Sequence, residues 1–242
     1  MIKNKKIICI IPARGGSKGL KDKNIKLVNG HPLIAYPIRT AIQSNLFESI
    51  LVSTDNKKIA SVAKKYGADV PFLRKKKYAK DYSTTEETLK NALNEYETYK
   101  KIKYDIGVYM TATDIFRTVL SLKKAVYKLI NNRNIDSCFS VRPTHKNYWH
   151  NKNKNLKRIL NSMKTYSSRQ QKQPIYREDT GLLCASRAKL WRNGKRIGDK
   201  VEFIINHNPI DIDIHSDYDL YLVKKTFEYF KKNKPNYLPK IL

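Results

Sequence analysis

Short apolar runs alternate with longer amphipathic stretches along most of this chain of 242 residues. The runs at about 6–11, 49–53, 105–110 and 136–141 have the length and near-continuous hydrophobicity of strands that are buried on both faces. The stretches between them carry apolar residues three and four positions apart, as helices that cover a sheet do. The alternation predicts an α/β fold in which helices lie on both faces of a mostly parallel sheet.

Capping residues, proline and the spacing of apolar residues locate the covering helices. One segment shows no periodic pattern of apolar residues. The predicted helices cover about 32–44, a stretch around 59–66, a stretch opened by a capping box of Ser83 and Glu86, a stretch around 119–129, and a final stretch from about Ser216. Between about 142 and 180 the periodicity fails, and a connection this long is usually functional or packs against another subunit. We predict one domain, residues 1–242, with 142–180 as a small insertion.

The overall charge narrows the choice of partners. The 49 Lys and Arg residues against 21 Asp and Glu residues give a formal charge of +28, which by itself suggests nucleic acid or a membrane surface. Lysine is, however, spread over the whole chain among many Asn and Ile residues, so composition bias explains the charge better. We expect no specific nucleic-acid partner and no membrane partner.

Neither the cysteines nor the N-terminus indicates secretion. Cys9, Cys138 and Cys184 lie far apart in sequence and do not suggest a disulfide framework or a metal site. The apolar run near the N-terminus has only about six residues, too few for a signal segment or a membrane span. These features predict a cytoplasmic enzyme.

A glycine-bearing loop directly follows the first predicted strand, with the sequence IIPARGGSKGLKDKN at 10–24. Glycines allow tight turns and a close approach of backbone N–H groups to phosphate oxygens, while Arg14, Lys18 and Lys23 supply positive charge. The spacing fits neither a Walker A loop nor the GxGxxG dinucleotide motif. The loop is therefore predicted to hold a triphosphate.

Two alternating aspartates near the C-terminus, Asp211 and Asp213, are the second chemical motif. On a strand their carboxylates share one face, about 6–7 Å apart, and two carboxylates that close repel each other unless a cation lies between them. A hard ion with oxygen ligands answers that need, so we predict a Mg²⁺ or Mn²⁺ site at Asp211 and Asp213. Asp217 fits a helix cap equally well.

Several motifs in order along the chain resemble the acylneuraminate cytidylyltransferases. They are the loop at 10–24, STD at 53–55, GADVPFLR at 67–74, DYSTT at 81–85, TATDIFR at 111–117, the SRQQ and YREDTG stretches at 168–171 and 176–181, and DID at 211–213. That family includes synthetases of CMP-sialic acid and of CMP-activated legionaminic, pseudaminic and Kdo-type acids. The resemblance implies a Rossmann-like nucleotidyltransferase fold and a homodimer in which the insertion serves sugar binding and dimerisation.

The resemblance also implies residue roles. CTP binding falls on Ala13, Arg14, Gly15, Gly16, Ser17, Lys23, Asn24, Arg74, Ser83 and Thr111. Binding of the sugar acid falls on Thr113, Arg117, Arg169, Gln170 and Tyr176. Arg14, Lys23, Asp211 and Asp213 are the expected catalytic residues, the aspartates as metal ligands. Arg169 is the first candidate to grip the substrate carboxylate, because a guanidinium binds carboxylate in a bidentate fork.

The predicted reaction is Mg²⁺-dependent transfer of CMP from CTP to a 2-keto-3-deoxy sugar acid, with release of pyrophosphate. Thr111, Asp114 and Thr180 depart from the family pattern where the base or sugar is expected, so the sugar acid stays open. The alternatives are an enzyme of the same fold for another sugar, such as a Kdo-like acid or a hexose 1-phosphate, and a non-catalytic nucleotide or phosphate binder.

Overall fold

The computed structural model describes residues 5–165, 168 and 170–241. Its strands are β1 (Ile7–Pro12), β2 (Leu27–Val28), β3 (His31–Pro32), β4 (Ser49–Ser53), β5 (Ile106–Tyr109), β6 (Ser137–Thr144), β7 (Trp149–Lys152), β8 (Asn155–Arg158), β9 (Ile175–Glu178), β10 (Cys184–Arg187) and β11 (Val201–Ile205). Its α-helices are α1 (Ala35–Ser44), α2 (Lys57–Lys65), α3 (Thr85–Lys100), α4 (Val119–Asn131), α5 (Ala188–Arg192) and α6 (Asp217–Asn233). Short 3-10 turns lie at Lys23–Ile25, Lys76–Tyr78, Asn161–Lys164 and Pro235–Tyr237.

The central sheet has the strand order β11-β6-β10-β5-β1-β4, and β9 also pairs with β6. β1 lies parallel to β4 and β5, and β6 lies parallel to β11. β10 runs antiparallel between β5 and β6, and β9 pairs antiparallel with β6. The prediction of a mostly parallel sheet is confirmed, and the reversed strands are an addition to it.

The core lies on both sides of this sheet because β1 is buried on both of its faces. Ile7, Cys9 and Ile11 pack into one cluster with residues of α1, α2 and α4. Ile8 and Ile10 pack into a second cluster with residues of α3 and α5. Full burial of such a side chain contributes about 1.5–3 kcal/mol to the stability of the fold, so a central strand keeps apolar residues on both faces. The resulting continuous apolar runs could be recognised as strands in the sequence. The prediction of helices on both faces is confirmed.

Most predicted boundaries hold within a residue or two, and the exceptions include the start of α1, the cap of α3 and the end of β6. β4 has the predicted bounds, whereas α1 begins at Ala35 because His31–Pro32 pairs with β2. The capping box of α3 is formed by Thr84 and Glu87, not by Ser83 and Glu86. The Thr84 hydroxyl accepts from the Glu87 amide at 3.1 Å, while the Ser83 hydroxyl donates to the Lys77 carbonyl.

The segment at 142–180 is more regular than its sequence suggested. β6 extends to Thr144 and pairs with β9, and β7 and β8 form a separate hairpin. These strands escaped prediction because much of their surface faces solvent, as at Trp149, Leu156 and Tyr176, so burial imposes no clear period.

Cys9, Cys138 and Cys184 carry buried free thiols, and burial raises the pKa of each. Within the described ranges, no helix combines the length and the hydrophobicity needed to cross a membrane.

Candidate nucleotide and acid site

The loops that follow β1, β4 and β5 meet at the carboxyl edge of the sheet, where open α/β sheets commonly bind ligands. A cavity of about 380 Å³ opens there. Its wall is formed by the glycine-bearing loop, by 111–113 after β5, and by His215 from the C-terminal part of the chain. The structure thus brings the loop next to His215, while Asp211 and Asp213, the predicted metal ligands that precede it in the chain, do not line this cavity.

The glycine-bearing loop is held by hydrogen bonds from neighbouring segments. The Ala13 amide donates to the Ser53 carbonyl at 2.9 Å, and the Gly15 amide donates to the Asp55 carboxylate at 2.9 Å. The buried Asn24 side chain donates to the Arg14 carbonyl at 2.9 Å. These bonds fix the loop backbone before any ligand binds. Gly16 and Ser17 lie in this loop, and Ser17 lines the cavity.

Two loop cations share one carboxylate. The Arg14 guanidinium lies 2.7 Å from one oxygen of Asp81, and the Lys18 ammonium lies 2.6 Å from the other. Hydrogen bonds from Lys18 and from Arg14 lower the pKa of Asp81. Arg14 and Lys18 line the cavity, so a second anion can reach the same cations.

Lys23 connects the loop with the C-terminal acidic segment. Its ammonium donates to the Ile214 carbonyl at 3.0 Å. Burial lowers the pKa of Lys23, and the negative charge of Asp213 opposes that shift. Gly19 approaches the same segment so closely that a Cβ atom there would lie 2.6 Å from the His215 carbonyl oxygen. The contact between loop and segment therefore depends on a glycine.

The acidic segment at 210–214 is not part of a strand, so the predicted strand is wrong. Its side chains nevertheless alternate as predicted, because Ile210 and Ile214 are buried in a cluster with α6 while Asp211 and Asp213 are exposed. Asp213 lies 2.8 Å from the His215 ring. Within the part of the chain that the structure describes, no three His, Cys, Asp or Glu side chains form a group able to hold a metal ion.

A smaller cavity of about 180 Å³ adjoins the loop and is lined by Arg14, Arg74, 83–85 and Tyr109, among others. Arg74 is buried there and donates to the carbonyls of Ser53 and Tyr78. Burial lowers the pKa of Arg74 to about 10. Arg74 and Ser83, both predicted to bind the nucleotide, thus line the same cavity.

The TATDIFR segment packs against the turn before β10. The Thr111 amide donates to the Gly181 carbonyl at 2.9 Å, and the Thr111 hydroxyl donates to Asp114 at 2.7 Å. Burial, followed by the charge of Asp213, raises the pKa of Asp114. Thr111 and Thr113 line the large cavity. Arg117 is buried, lines neither cavity, and donates to the carbonyls of Thr111, Gly181 and Leu182.

The remaining residues predicted to bind the sugar acid have different positions. Arg169 lies outside the described residues. Gln170 is exposed, and Tyr176 is exposed on β9 with its ring 4.9 Å from that of Phe203. Neither lines the two cavities, so their roles stay predictions.

Several charged residues of the site lie inside the quoted motifs but were not named as site residues from the sequence. Asp55 and Asp81 bind the loop, Asp114 is a partly buried carboxylate beside Thr111, and Arg177 binds Asp211. Asp114 had a visible signal, since it replaces a residue of the family pattern. The Arg177 contact spans 34 residues of sequence and had none.

Comparison with known proteins identifies the family of the chain. A family model described as Cytidylyltransferase matches residues 8–240. The pseudaminic acid cytidylyltransferase of Campylobacter jejuni subsp. jejuni serotype O:23/36 (strain 81-176) is 34% identical over 189 residues, which cover 77% of this chain and 80% of that protein. The CMP-N,N'-diacetyllegionaminic acid synthase of Legionella pneumophila subsp. pneumophila is 30% identical over 228 residues, covering 92% and 97%.

A solved structure shares the fold at low sequence identity. It is CMP:2-keto-3-deoxy-manno-octonic acid synthetase complexed with CTP, which matches with a TM-score of 0.68 and 13% identity over 93% of this chain and 99% of that chain. The likeness confirms the nucleotidyltransferase fold, and the family match confirms the resemblance found in the motifs. The chain belongs to the cytidylyltransferase family and is a nucleotidyltransferase.

Proposed function

We propose that this chain transfers CMP from CTP to a 2-keto-3-deoxy sugar acid of the nonulosonic type and releases pyrophosphate. The names of its relatives, a pseudaminic acid cytidylyltransferase and a CMP-N,N'-diacetyllegionaminic acid synthase, support this class of acceptor. The observation that carries the proposal is the contact of Lys23 with Ile214, since it joins the phosphate loop to the acidic segment.

The loop is assigned to the triphosphate. The Gly16 amide and the Ser17 hydroxyl offer donors, because the Gly15 and Ser17 amides already donate to Asp55 and to the Gly15 carbonyl. Arg14 and Lys23 offer positive charge near the cavity. Because hydrogen bonds to Ser53, Asp55 and Asn24 already fix the loop, little reorganisation is required when phosphate binds. We assign the nucleoside to the adjoining cavity that Arg74 and Ser83 line.

The acidic segment fits a divalent cation. The carboxylates of Asp211 and Asp213 are both exposed, and both are hard oxygen donors. Mg²⁺ needs only one or two protein carboxylates when substrate phosphates complete its coordination. We assign Mg²⁺ or Mn²⁺ to these two aspartates, where the ion would neutralise charge on the phosphates.

In the proposed reaction the anomeric hydroxyl of the sugar acid attacks the α-phosphorus of CTP. The bond between the α- and β-phosphates breaks, and pyrophosphate leaves. Arg14 and Lys23 stabilise the negative charge that accumulates on the phosphate oxygens, because their cations are already placed at the cavity. Thr111 and Thr113 are assigned to orient the acceptor from the opposite wall, with Arg117 holding their segment.

The insertion at 142–180 is assigned to a homodimer contact. Large apolar side chains are exposed along the β7–β8 hairpin and just after it, including Trp149, Leu156 and Ile159. A patch of this kind often marks an interface between subunits. Sedimentation velocity is expected to give twice the monomer mass of 28.2 kDa, and a monomer at micromolar concentration would refute the assignment. A cytoplasmic location remains part of the proposal.

Pyrophosphate release tests the function. The protein is incubated with CTP, MgCl₂ and, one at a time, sialic, legionaminic, pseudaminic and Kdo-type acids. We expect release with at least one of the nonulosonic acids and none without an acid. Release only with the Kdo-type acid would favour the related acceptor, and CTP binding without release under any condition would favour a non-catalytic binder.

A further inference from the structure

Four charged side chains form a compact cluster beside the acidic segment. Arg177 donates to Asp211 at 2.6 Å and to Asp179 at 2.9 Å. The Arg142 Nε atom lies 3.3 Å from the same Asp211 oxygen and 3.5 Å from Asp179. Two guanidinium groups and two carboxylates balance in charge, so the cluster is neutral as it stands.

The strand register explains why the cluster needs its carboxylates. Arg142 on β6 lies directly opposite Arg177 on β9 in the antiparallel pair. Like charges in that relation repel, and the repulsion is relieved when anions lie between them. Asp179 and Asp211 provide those anions. Removing either carboxylate leaves one positive charge uncompensated.

The two arginines differ in how firmly they are held. Arg142 donates to the carbonyls of Asn208 and Ile210 at 2.7 and 2.9 Å, and its side chain is largely buried. The Arg177 side chain is 48% exposed, and its hydrogen bonds to described residues go only to Asp179 and Asp211. Arg177 can therefore change partners by a side-chain rotation while Arg142 stays in place.

We propose that Arg177 is the counter-ion of Asp211 in the metal-free protein and becomes a binding group for the carboxylate of the acid substrate once Asp211 holds the divalent cation. The proposal rests on the metal assignment made above. With Asp211 on the cation, the two arginines and Asp179 keep a net charge of +1, which the −1 charge of a substrate carboxylate balances. A planar guanidinium binds such a carboxylate through two parallel hydrogen bonds.

The exchange makes metal and acid binding interdependent. The metal competes with Arg177 for Asp211, so Arg177 weakens metal binding by the free protein. The acid competes with Asp211 for Arg177, so each ligand favours the other by the same factor. Arg177 thus stays paired with Asp211, and is not available to the acid, until the metal binds.

The first test measures Mn²⁺ binding to the nucleotide-free protein from the electron paramagnetic resonance signal of free Mn²⁺. Arg177→Gln is expected to bind Mn²⁺ about 3- to 10-fold more tightly than the unaltered chain, as expected when one competing ion pair is removed. Arg177→Lys keeps the charge but loses the fork and is expected to lie between them. Lys225→Gln removes a cation from the exposed Lys225–Glu228 pair on α6 and is expected to change nothing.

The second test separates KM from kcat with the acid that supports pyrophosphate release. Arg177→Gln is expected to raise KM for the acid about 10-fold or more, with KM for CTP within about twofold, because a charge-assisted contact to the acid alone is lost. Arg177→Lys is expected to restore part of the loss. Unchanged Mn²⁺ affinity, or unchanged KM for the acid, in Arg177→Gln overturns the exchange.

Asp211→Asn distinguishes this failure from a failure of the proposed function. If Asp211→Asn binds Mn²⁺ as the unaltered chain does, the metal assignment falls and the exchange falls with it. If Asp211→Asn loses Mn²⁺ and the unaltered chain releases pyrophosphate, while Arg177→Gln behaves normally, only the exchange is wrong.

Discussion

The proposed phosphate side of the site, formed by the loop at 13–24 with Asp55, differs in construction from the proposed acid side, formed by Arg142, Arg177, Asp179 and Asp211. Backbone N–H groups and a buried Asn hold the phosphate side against the ends of buried strands. Ion pairs between partly exposed side chains hold the acid side. The difference teaches that the first is fixed before ligands arrive, whereas the second can exchange partners.

The largest expected effect on activity comes from removing the charge of Asp213. Asp213→Asn is expected to lower kcat/KM for CTP about 10²- to 10³-fold, because the cation loses one charged ligand next to the phosphates. Pyrophosphate release measures the loss, with circular dichroism to confirm the fold. Asp217→Asn, an exposed change in the first turn of α6, is the control and is expected to keep the activity. A rate for Asp213→Asn within about threefold of the unaltered chain would separate the acidic segment from catalysis.

The next effect tests whether the phosphate side is rigid. Gly19→Ala places a Cβ atom 2.6 Å from the His215 carbonyl oxygen, so the loop and the segment must move apart. We expect a loss of about 1–3 kcal/mol in the free energy of unfolding and a fall of about tenfold in kcat/KM. Thermal unfolding and pyrophosphate release measure the two.

Gly16→Ala is the matched control for stability, because a Cβ atom at Gly16 would meet no atom within 4 Å. Its midpoint of unfolding is expected to stay close to that of the unaltered chain. Equal stability of the two alanine variants would show that the loop yields easily, and the contrast with the acid side would disappear.

A smaller effect of opposite sign is expected at Asp114. Burial and the charge of Asp213 raise the pKa of this carboxyl, so its ionised form destabilises the folded chain above that pKa. In Asp114→Asn the side-chain amide oxygen can still accept from the Thr111 hydroxyl. The variant is expected to raise the midpoint temperature of thermal unfolding at pH 7 by about 2–4 °C, which is the shift that about 1 kcal/mol produces at this chain length.

The pH dependence of this gain checks its cause. The destabilisation disappears as the native carboxyl becomes protonated, so the advantage of Asp114→Asn is expected to shrink as the pH falls below the raised pKa. A gain that is the same at pH 7 and at acid pH would assign the effect to packing instead of charge.

The smallest effect concerns Asp81, which holds Arg14 and Lys18 at the surface of the phosphate side. In Asp81→Asn both cations are free to bind phosphate, so KM for CTP is expected to fall by no more than about threefold, as exposed ion pairs contribute little. Initial-rate kinetics at saturating acid measure it. A rise of tenfold or more would show that Asp81 orients the cations.

The sequence predicted those parts of the molecule that are determined by residues close together in the chain. β4 and the start of α6 were readable because burial on both faces and the cap at Ser216 leave marks within a few residues. The glycine-bearing loop was readable because its residue types are rare in that order.

The rest depends on contacts between distant segments. Asp55 reaches the loop from the end of β4, and Asp81 reaches it from the turn before α3. Arg177 reaches Asp211 across 34 residues. The cap of α3 moved from Ser83 to Thr84 because the Ser83 hydroxyl has a competing partner in the Lys77 carbonyl. Such choices between equivalent hydroxyl and carboxyl groups are made by tertiary structure and leave no local pattern.

A crystal structure of the protein with CTP and MgCl₂ tests most directly whether one nucleotide is held between the loop and the acidic segment. We expect the triphosphate within hydrogen-bonding distance of Lys23 and of the loop, with the metal bound by Asp211 and Asp213 and Arg177 turned away from Asp211. A triphosphate bound elsewhere, or a metal that touches neither aspartate, would contradict this expectation.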